Sequence, residues 1–225
     1  VTTHVFDASG QFMHQCVLGP DQFRGEICWP AISISDEGTV SLSVSGPEYT
    51  ARLFRFDANG KPICQFSFDV DSDEVFPQPG TDRVVAVTYE EIHLLDRHGK
   101  LIRKIEHRPD GQWVVYPQNL TFAKDGSFAV ISDRTVCIFS SDATPINHFD
   151  LPPPVTHCSK IAINKDRVVA VSDRDLTIQD RTGKLIQCTK LGVDRKDAHP
   201  CFSVDESELL LIPRAGTQVT RYAIP

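Results

Sequence analysis

The feature that most constrains this chain is a short motif that recurs along its whole length. A strand-like apolar run ending in Asp-x-x-Gly stands at 5–10 (VFDASG), 55–60 (RFDANG), 94–99 (LLDRHG) and 178–183 (IQDRTG), with a degraded copy, IFSSDA, at 138–143. The anchors Asp7, Asp57, Asp96, Ser140 and Asp180 lie 50, 39, 44 and 40 residues apart. One more step reaches the terminal RYAIP, which also reads as a strand. A period of about 40–45 residues means repeated supersecondary units, each burying its apolar face against its neighbours.

The interior of one unit shows what the units are. In 117–149 four strands follow one another: NLTFA, a turn at Lys124-Asp125-Gly126, SFAVIS, a turn at Asp133-Arg134, TVCIFS, a turn at 141–145, and PINHF. Alternating apolar residues between Asp-Gly-type turns make antiparallel hairpins in series. The same grammar fits the segments from Pro30, Val75 and Lys160, and no stretch carries helical periodicity over ten residues. The expected fold is all-β: a β-propeller of four-stranded antiparallel blades, occupying residues 1–225 as a single domain. Asp bonds its own backbone two residues on and Gly accepts positive φ, so the recurring motif closes a tight hairpin.

Four complete units run from about 29 to 191, with two strands before them at 2–17 and three after them at about 199–223. If the strand near 11–17 joins the C-terminal strands, the ring closes with five blades and one strand is left over, at 2–6 or 217–223. Six blades, the alternative, need strands this chain does not supply.

Composition narrows the function. The net charge of −7 argues against a generally basic nucleic-acid binder while leaving room for a local basic face. No apolar run approaches the length of a membrane helix, and no secretory leader pattern is visible. Seven cysteines sit singly at 16, 28, 64, 137, 158, 188 and 201, without a C-x-x-C pair, so neither a disulfide framework nor a zinc site is expected. A reducing, cytoplasmic setting fits this pattern.

Each unit resembles an NHL repeat: Pro, an apolar strand, Asp-Gly, a strand ending near Asp, an aliphatic or aromatic strand, Asp-x-x-Gly-Lys, and a last apolar strand. The closest copies are 117–149 and 160–191, and the Asp-x-x-Gly-Lys part stands at 57–61, 96–100 and 180–184. The Asn-x-Arg usual after the second strand is reduced to Asp133-Arg134 and Asp173-Arg174. The chain is thus similar to the C-terminal domain of TRIM-NHL proteins. That resemblance implies a domain binding RNA or protein through one loop face, with an E3 ubiquitin ligase part upstream.

In a propeller, the loops joining second and third strands share one face with the loops between blades. On that face the sequence places Tyr49, Arg52, Tyr89, Arg134, Arg174 and Arg214, with Arg24, Arg108, Trp113, Tyr116, Arg195 and Lys196 from the inter-blade loops. Phe23, His107, Lys190 and His199 lie there too. Arginine beside aromatic rings clamps phosphates and stacks bases, and the same pair makes a protein hot spot. Solvated loop charge, and packing of Trp113 and Tyr116 between blades, are the competing roles. The acidic loop 68–76 would repel phosphate if it shared the face.

Catalysis is not expected. The eight histidines are dispersed and no Gly-x-Ser-x-Gly elbow occurs. The innermost strands offer Asn119 and Asn164 but few charged ligands for the channel metal of a propeller hydrolase. The expectation is therefore a recognition module without cofactor or metal, binding single-stranded RNA or else a protein partner chosen for an attached ligase, with neither membrane nor DNA as partner.

Overall fold

The structure is a computed structural model describing residues 2–6, 11–18, 31–34, 38–45, 50–69, 74–114, 117–153, 158–172, 175–191, 198–203, 206–212 and 219–224. It comprises two compact units, Val1–Lys104 and Ile105–Pro225.

The first unit opens with a two-stranded sheet, β1 (Thr2–Phe6) and β2 (Phe12–Val17). Two four-stranded meanders follow. One is β3 (Ala31–Ile34), β4 (Val40–Ser45), β5 (Thr50–Phe56) and β6 (Pro62–Asp69). The other is β7 (Glu74–Pro77), β8 (Val84–Val87), β9 (Ile92–Leu95) and β10 (Leu101–Ile105). The second unit continues with β11 (Pro117–Phe122), β12 (Phe128–Ser132), β13 (Thr135–Phe139) and β14 (Pro145–Asp150). Next come β15 (Cys158–Ile163), β16 (Arg167–Ser172), β17 (Asp175–Asp180) and β18 (Leu185–Lys190). Three strands close the chain, β19 (His199–Phe202), β20 (Glu208–Ile212) and β21 (Thr220–Ala223). Among the described residues, beside the two-stranded β1–β2 sheet, five consecutive blade sheets are present, numbered first (β3–β6) to fifth (β19–β21), and the strands expected within 117–149 fall where the turn residues placed them.

The middle strands are the buried ones. Every residue of β8, β12 and β13 is buried, whereas the fourth strands β10, β14 and β18 are largely exposed. Period-2 alternation is lost in these middle strands because both of their faces are covered. Between the third and fourth sheets a continuous apolar layer includes Ile131, Val136, Ile138, Leu151, Ile161 and Val168.

The repeated motif is a repeated turn. Asp57, Asp96 and Asp180 each accept backbone N–H bonds through Oδ1 from the residues two and four positions on, at 2.8–3.0 Å. In the degraded copy Ser140 Oγ accepts the Thr144 N–H at 3.0 Å, and Ala143 takes the glycine position at φ 62°. Two of these turns also lie against the sheet before them. A Cβ at Gly183 (φ 90°) would lie 2.5 Å from Phe149 Cβ in β14, and one at Gly60 2.7 Å from the Gln15 carbonyl oxygen in β2. Asn147 Nδ2 donates to the Arg181 carbonyl at 2.7 Å across the same seam as Gly183.

Strand β2 pairs with β1, and Cys16, Leu18 and Val5 pack with Val40, Leu42 and Phe56 of the next sheet. Its buried residues are those facing β4 and β5, and it stands to the Gly60 turn as β14 stands to the Gly183 turn.

Candidate functional site

Successive turns of a meander alternate between its two ends, so the Asp-x-x-Gly turns sit at one end of each sheet and the loops expected to bind at the other. In the third sheet that loop end is built from the β12–β13 turn, the end of β14, and residues 106–114 leading into β11. Pro117 pairs with Ser132, which brings the incoming loop beside the turn.

Residues 106–114 form a small hairpin. Val114 N–H donates to the Glu106 carbonyl, His107 bridges to Trp113, and Arg108 N–H donates to the Gln112 carbonyl at 2.7 Å. Gly111 N–H closes the turn on the Arg108 carbonyl at 2.9 Å. These are the backbone hydrogen bonds of the Asp-x-x-Gly-Lys turns with Arg108 in the aspartate position. The missed signal was present: Arg-Pro-Asp-Gly-Gln carries the same spacing inside what reads as an inter-blade loop.

Arg108 braces this hairpin. Its Nη2 donates to Asp110 Oδ2 at 2.7 Å and to Gln112 Oε1 at 2.6 Å, and its Nη1 donates to Thr135 Oγ1 at 3.0 Å. Thr135 Oγ1 in turn donates to Asp150 Oδ1 at 2.7 Å. Burial raises the Asp110 carboxyl, but the bonds from Gln112 N–H and Arg108 outweigh it and leave its pKa below the usual value. The brace ties three loop segments into one body.

On this body the aromatic pair stands in solvent. Trp113 is 63% exposed, and the His107 ring lies against it at 4.3 Å between centroids, tilted 34°. Trp113 is therefore not packed between sheets. Asp133, at φ 59°, and Arg134 are both exposed in the two-residue turn, and the Arg134 carbonyl accepts the Leu151 N–H at 3.0 Å. In the next sheet Asp175 occupies the register position of Thr135, opposite Lys190, and the two form an ion pair at 2.7 Å.

In the first unit, Tyr89 is 51% exposed at the β8–β9 turn, where Thr88 Oγ1 accepts the N–H groups of Glu90 and Glu91. Beside it Lys104 pairs with Glu91 at 2.7 Å. Arg52 differs from expectation: it lies inside β5, opposite Val44 and Ser67, and not in the preceding loop. Arg24, Tyr49, Tyr116, Arg174, Arg195, Lys196 and Arg214 lie outside the described residues, as do Phe23 and residues 70–73 of the acidic loop. Of the expected face, the structure brings together Arg108, Trp113 and Arg134.

Among the described residues, no three His, Cys, Asp or Glu side chains are grouped to hold a metal ion, and no helix is long and apolar enough to cross a membrane. The cysteines Cys16, Cys64, Cys137, Cys188 and Cys201 are free thiols.

No family model matches the chain, and no curated protein sequence matches it. Solved structures do. The β-propeller domain of Cps50 (Swd1) from Myceliophteria thermophila superposes with a TM-score of 0.64 at 12% identity, covering 100% of this chain and 91% of that one. A protein of unknown function from Bacteroides caccae gives 0.56 at 10% identity, covering 81% of this chain and 72% of its own. The similarity is one of fold: the chain is a β-propeller with antiparallel blade sheets, five in number.

Proposed function

We propose that this chain is a non-catalytic recognition propeller that binds a protein partner through the loop end of its third sheet. The observation that carries the reading is Trp113, held 63% exposed on a hairpin that Arg108 makes rigid. A large ring presented in a fixed position costs little ordering on binding, which is how aromatic anchors dominate protein interfaces. The propeller fold, whose loop ends form adaptable surfaces on a rigid frame, supports the same reading.

RNA is the weaker reading on this surface. Two of the cations it would use are already matched: Arg108 by Asp110 and Lys190 by Asp175. Arg134 remains exposed and keeps that reading testable. If a ubiquitin ligase precedes this domain, as the NHL resemblance implies, the partner is the substrate it presents.

The test is a selection from a random peptide library on the whole chain, repeated on Trp113→Ala. Selected peptides should lose about tenfold or more in affinity on the variant, the loss typical of a truncated anchor. A randomised single-stranded RNA pool serves as the second arm. RNA binding that collapses between about 50 and 200 mM salt, and falls further with Arg134→Ala, would replace the protein reading.

A further inference from the structure

The seams between sheets follow one pattern, so a bare face shows what would cover it. In the fourth sheet Ile163 pairs with Val168 and Ile161 with Ala170, and these four residues pack against Ala123, Ala129 and Ile131 of the third. In the first sheet the same positions are held by Ile34 with Val40 and Ile32 with Leu42. Val40 pairs with Phe56 and Val168 with Gln179, each the residue before its turn aspartate, which fixes the equivalence. Ile161 and Ile163 are 6% and 3% exposed, whereas Ile32 and Ile34 are 51% and 54% exposed. The cause is the hairpin packed on this face. Strands β1 and β2 carry the register irregularity of a third and fourth strand: it falls at Val5/Phe6 there, and at Arg55/Phe56, Ile138/Phe139 and Ile178/Gln179 in later sheets. Cys16 and Leu18 therefore cover Val40, Leu42 and Phe56. Among the described residues no first or second strand accompanies the hairpin, so the innermost strip, Ile32 and Ile34, is left to water.

The fifth sheet carries the opposite half of such a seam. In the fourth sheet Ala162, Val169 and Val171 pack against Leu209 and Leu211 of the fifth, and all three are buried. Their equivalents in the fifth sheet are Cys201, Leu210 and Ile212, because Phe202 pairs with Leu209 and Cys201 with Leu210 as Ile163 pairs with Val168 and Ala162 with Val169. Ile212 is 42% exposed, and Cys201 and Leu210 are half-buried. Arg221 pairs with Leu210 on that face, and its charge is matched by Glu208 at 3.7 Å. One chain thus holds both halves of a seam, each with apolar residues in water, and such surface marks a site of association.

We infer that copies of this chain associate head to tail, the fifth sheet of one copy covering Ile32 and Ile34 in the first sheet of the next. The seam between the fourth and fifth sheets is the pattern for this contact, and a second copy is a molecule that carries the matching half. Stacked repeats bury their faces on neighbours of their own kind. The bare strip is continuous with the cluster in which Cys16 and Leu18 pack on Val40 and Leu42, so a sheet docked there extends an existing core. Because two different surfaces meet, each pair keeps one of each, and association continues past a dimer into a ring or an open row. Neither face includes Trp113, so the inference stands apart from the recognition reading.

The experiment is sedimentation velocity on the whole chain at rising concentration. Between about 1 and 300 µM the parent should shift from monomer to dimer and larger species. Ile34→Glu and Ile212→Glu each put a charge where the seam would bury it, and each should weaken association about tenfold or more. Mixed in equal amounts, the two variants should recover a dimer and stop there, since one intact face of each kind remains. Ile146→Glu, at an equally exposed isoleucine of β14 outside both faces, should associate as the parent does. All three side chains are exposed, so the fold should survive each change, and thermal unfolding checks that it does. A parent that stays monomeric throughout overturns the inference and leaves these faces to a different protein. A mixture that stays monomeric, or an Ile146→Glu chain as impaired as the other two, overturns it as well.

Discussion

Phe139 has no exposed surface and its ring stacks on Phe128 at 5.2 Å, with the planes 24° apart. Its place in the core was legible from TVCIFS, because an apolar residue in a middle strand has no solvent face to turn to. Phe139→Ala should cost about 3–5 kcal/mol, the usual range for emptying a buried aromatic site, as measured by urea unfolding. A loss below about 1 kcal/mol would mean the site collapses around the smaller side chain. Two cysteines show the same logic in their reactivity. Burial pushes the Cys137 thiol up to about 12, whereas Cys188 is exposed on β18. Since the thiolate is the nucleophile, a thiol reagent near neutral pH should label Cys188 in the folded chain and reach Cys137 only on unfolding. Mass mapping of labelled peptides checks this. At Arg108 the residue type was visible in sequence but its use was not. A guanidinium in a loop reads as a ligand for an anion until Asp110, Gln112 and Thr135 are seen to occupy it.

At the scale of elements, one turn does two tasks. Its aspartate or serine satisfies backbone N–H groups, and at Gly60 and Gly183 its fourth residue lies close against the preceding sheet. The first task was readable in Asp-x-x-Gly, since it depends on four consecutive residues. The second was not, because Phe149 and Gln15 are distant in sequence from the glycines they meet. The difference can be measured by comparing two glycines. Gly111 (φ 80°) has open space where a Cβ would stand, so Gly111→Ala should cost only the backbone term, about 1–2 kcal/mol. Gly183→Ala adds a collision with Phe149 and should cost at least about 1 kcal/mol more, given the usual penalty for overpacking. Equal losses in chemical denaturation would show that Phe149 moves aside freely.

Across the whole molecule the turns act together on acid stability. Bonds from the backbone hold the Asp57 and Asp96 carboxyls below their usual values, led by the N–H groups of Lys61 and Lys100 respectively. At Asp180 the Thr182 hydroxyl leads. A carboxyl whose folded pKa is depressed stabilises the fold above its unfolded value, about 3.9, and that contribution is lost as pH falls through the lower folded value. Replacing all three by Asn keeps the acceptor oxygen and removes the titration. The decline in melting temperature below about pH 4 should then be shallower than in the parent chain. An unchanged decline would mean that these carboxyls titrate alike in folded and unfolded states. The period, the meander, the turns and the buried middle strands were determined by the sequence itself, because each rests on neighbours within a few residues or on a repeat that advertises itself by recurrence. Only the tertiary structure decided that β2 packs with β4 and β5, that Arg108 is bonded internally, and that Trp113 stands in solvent against His107. Those outcomes depend on which distant loops are brought to the same end of a sheet, and a pattern of residue types along a chain does not carry that information.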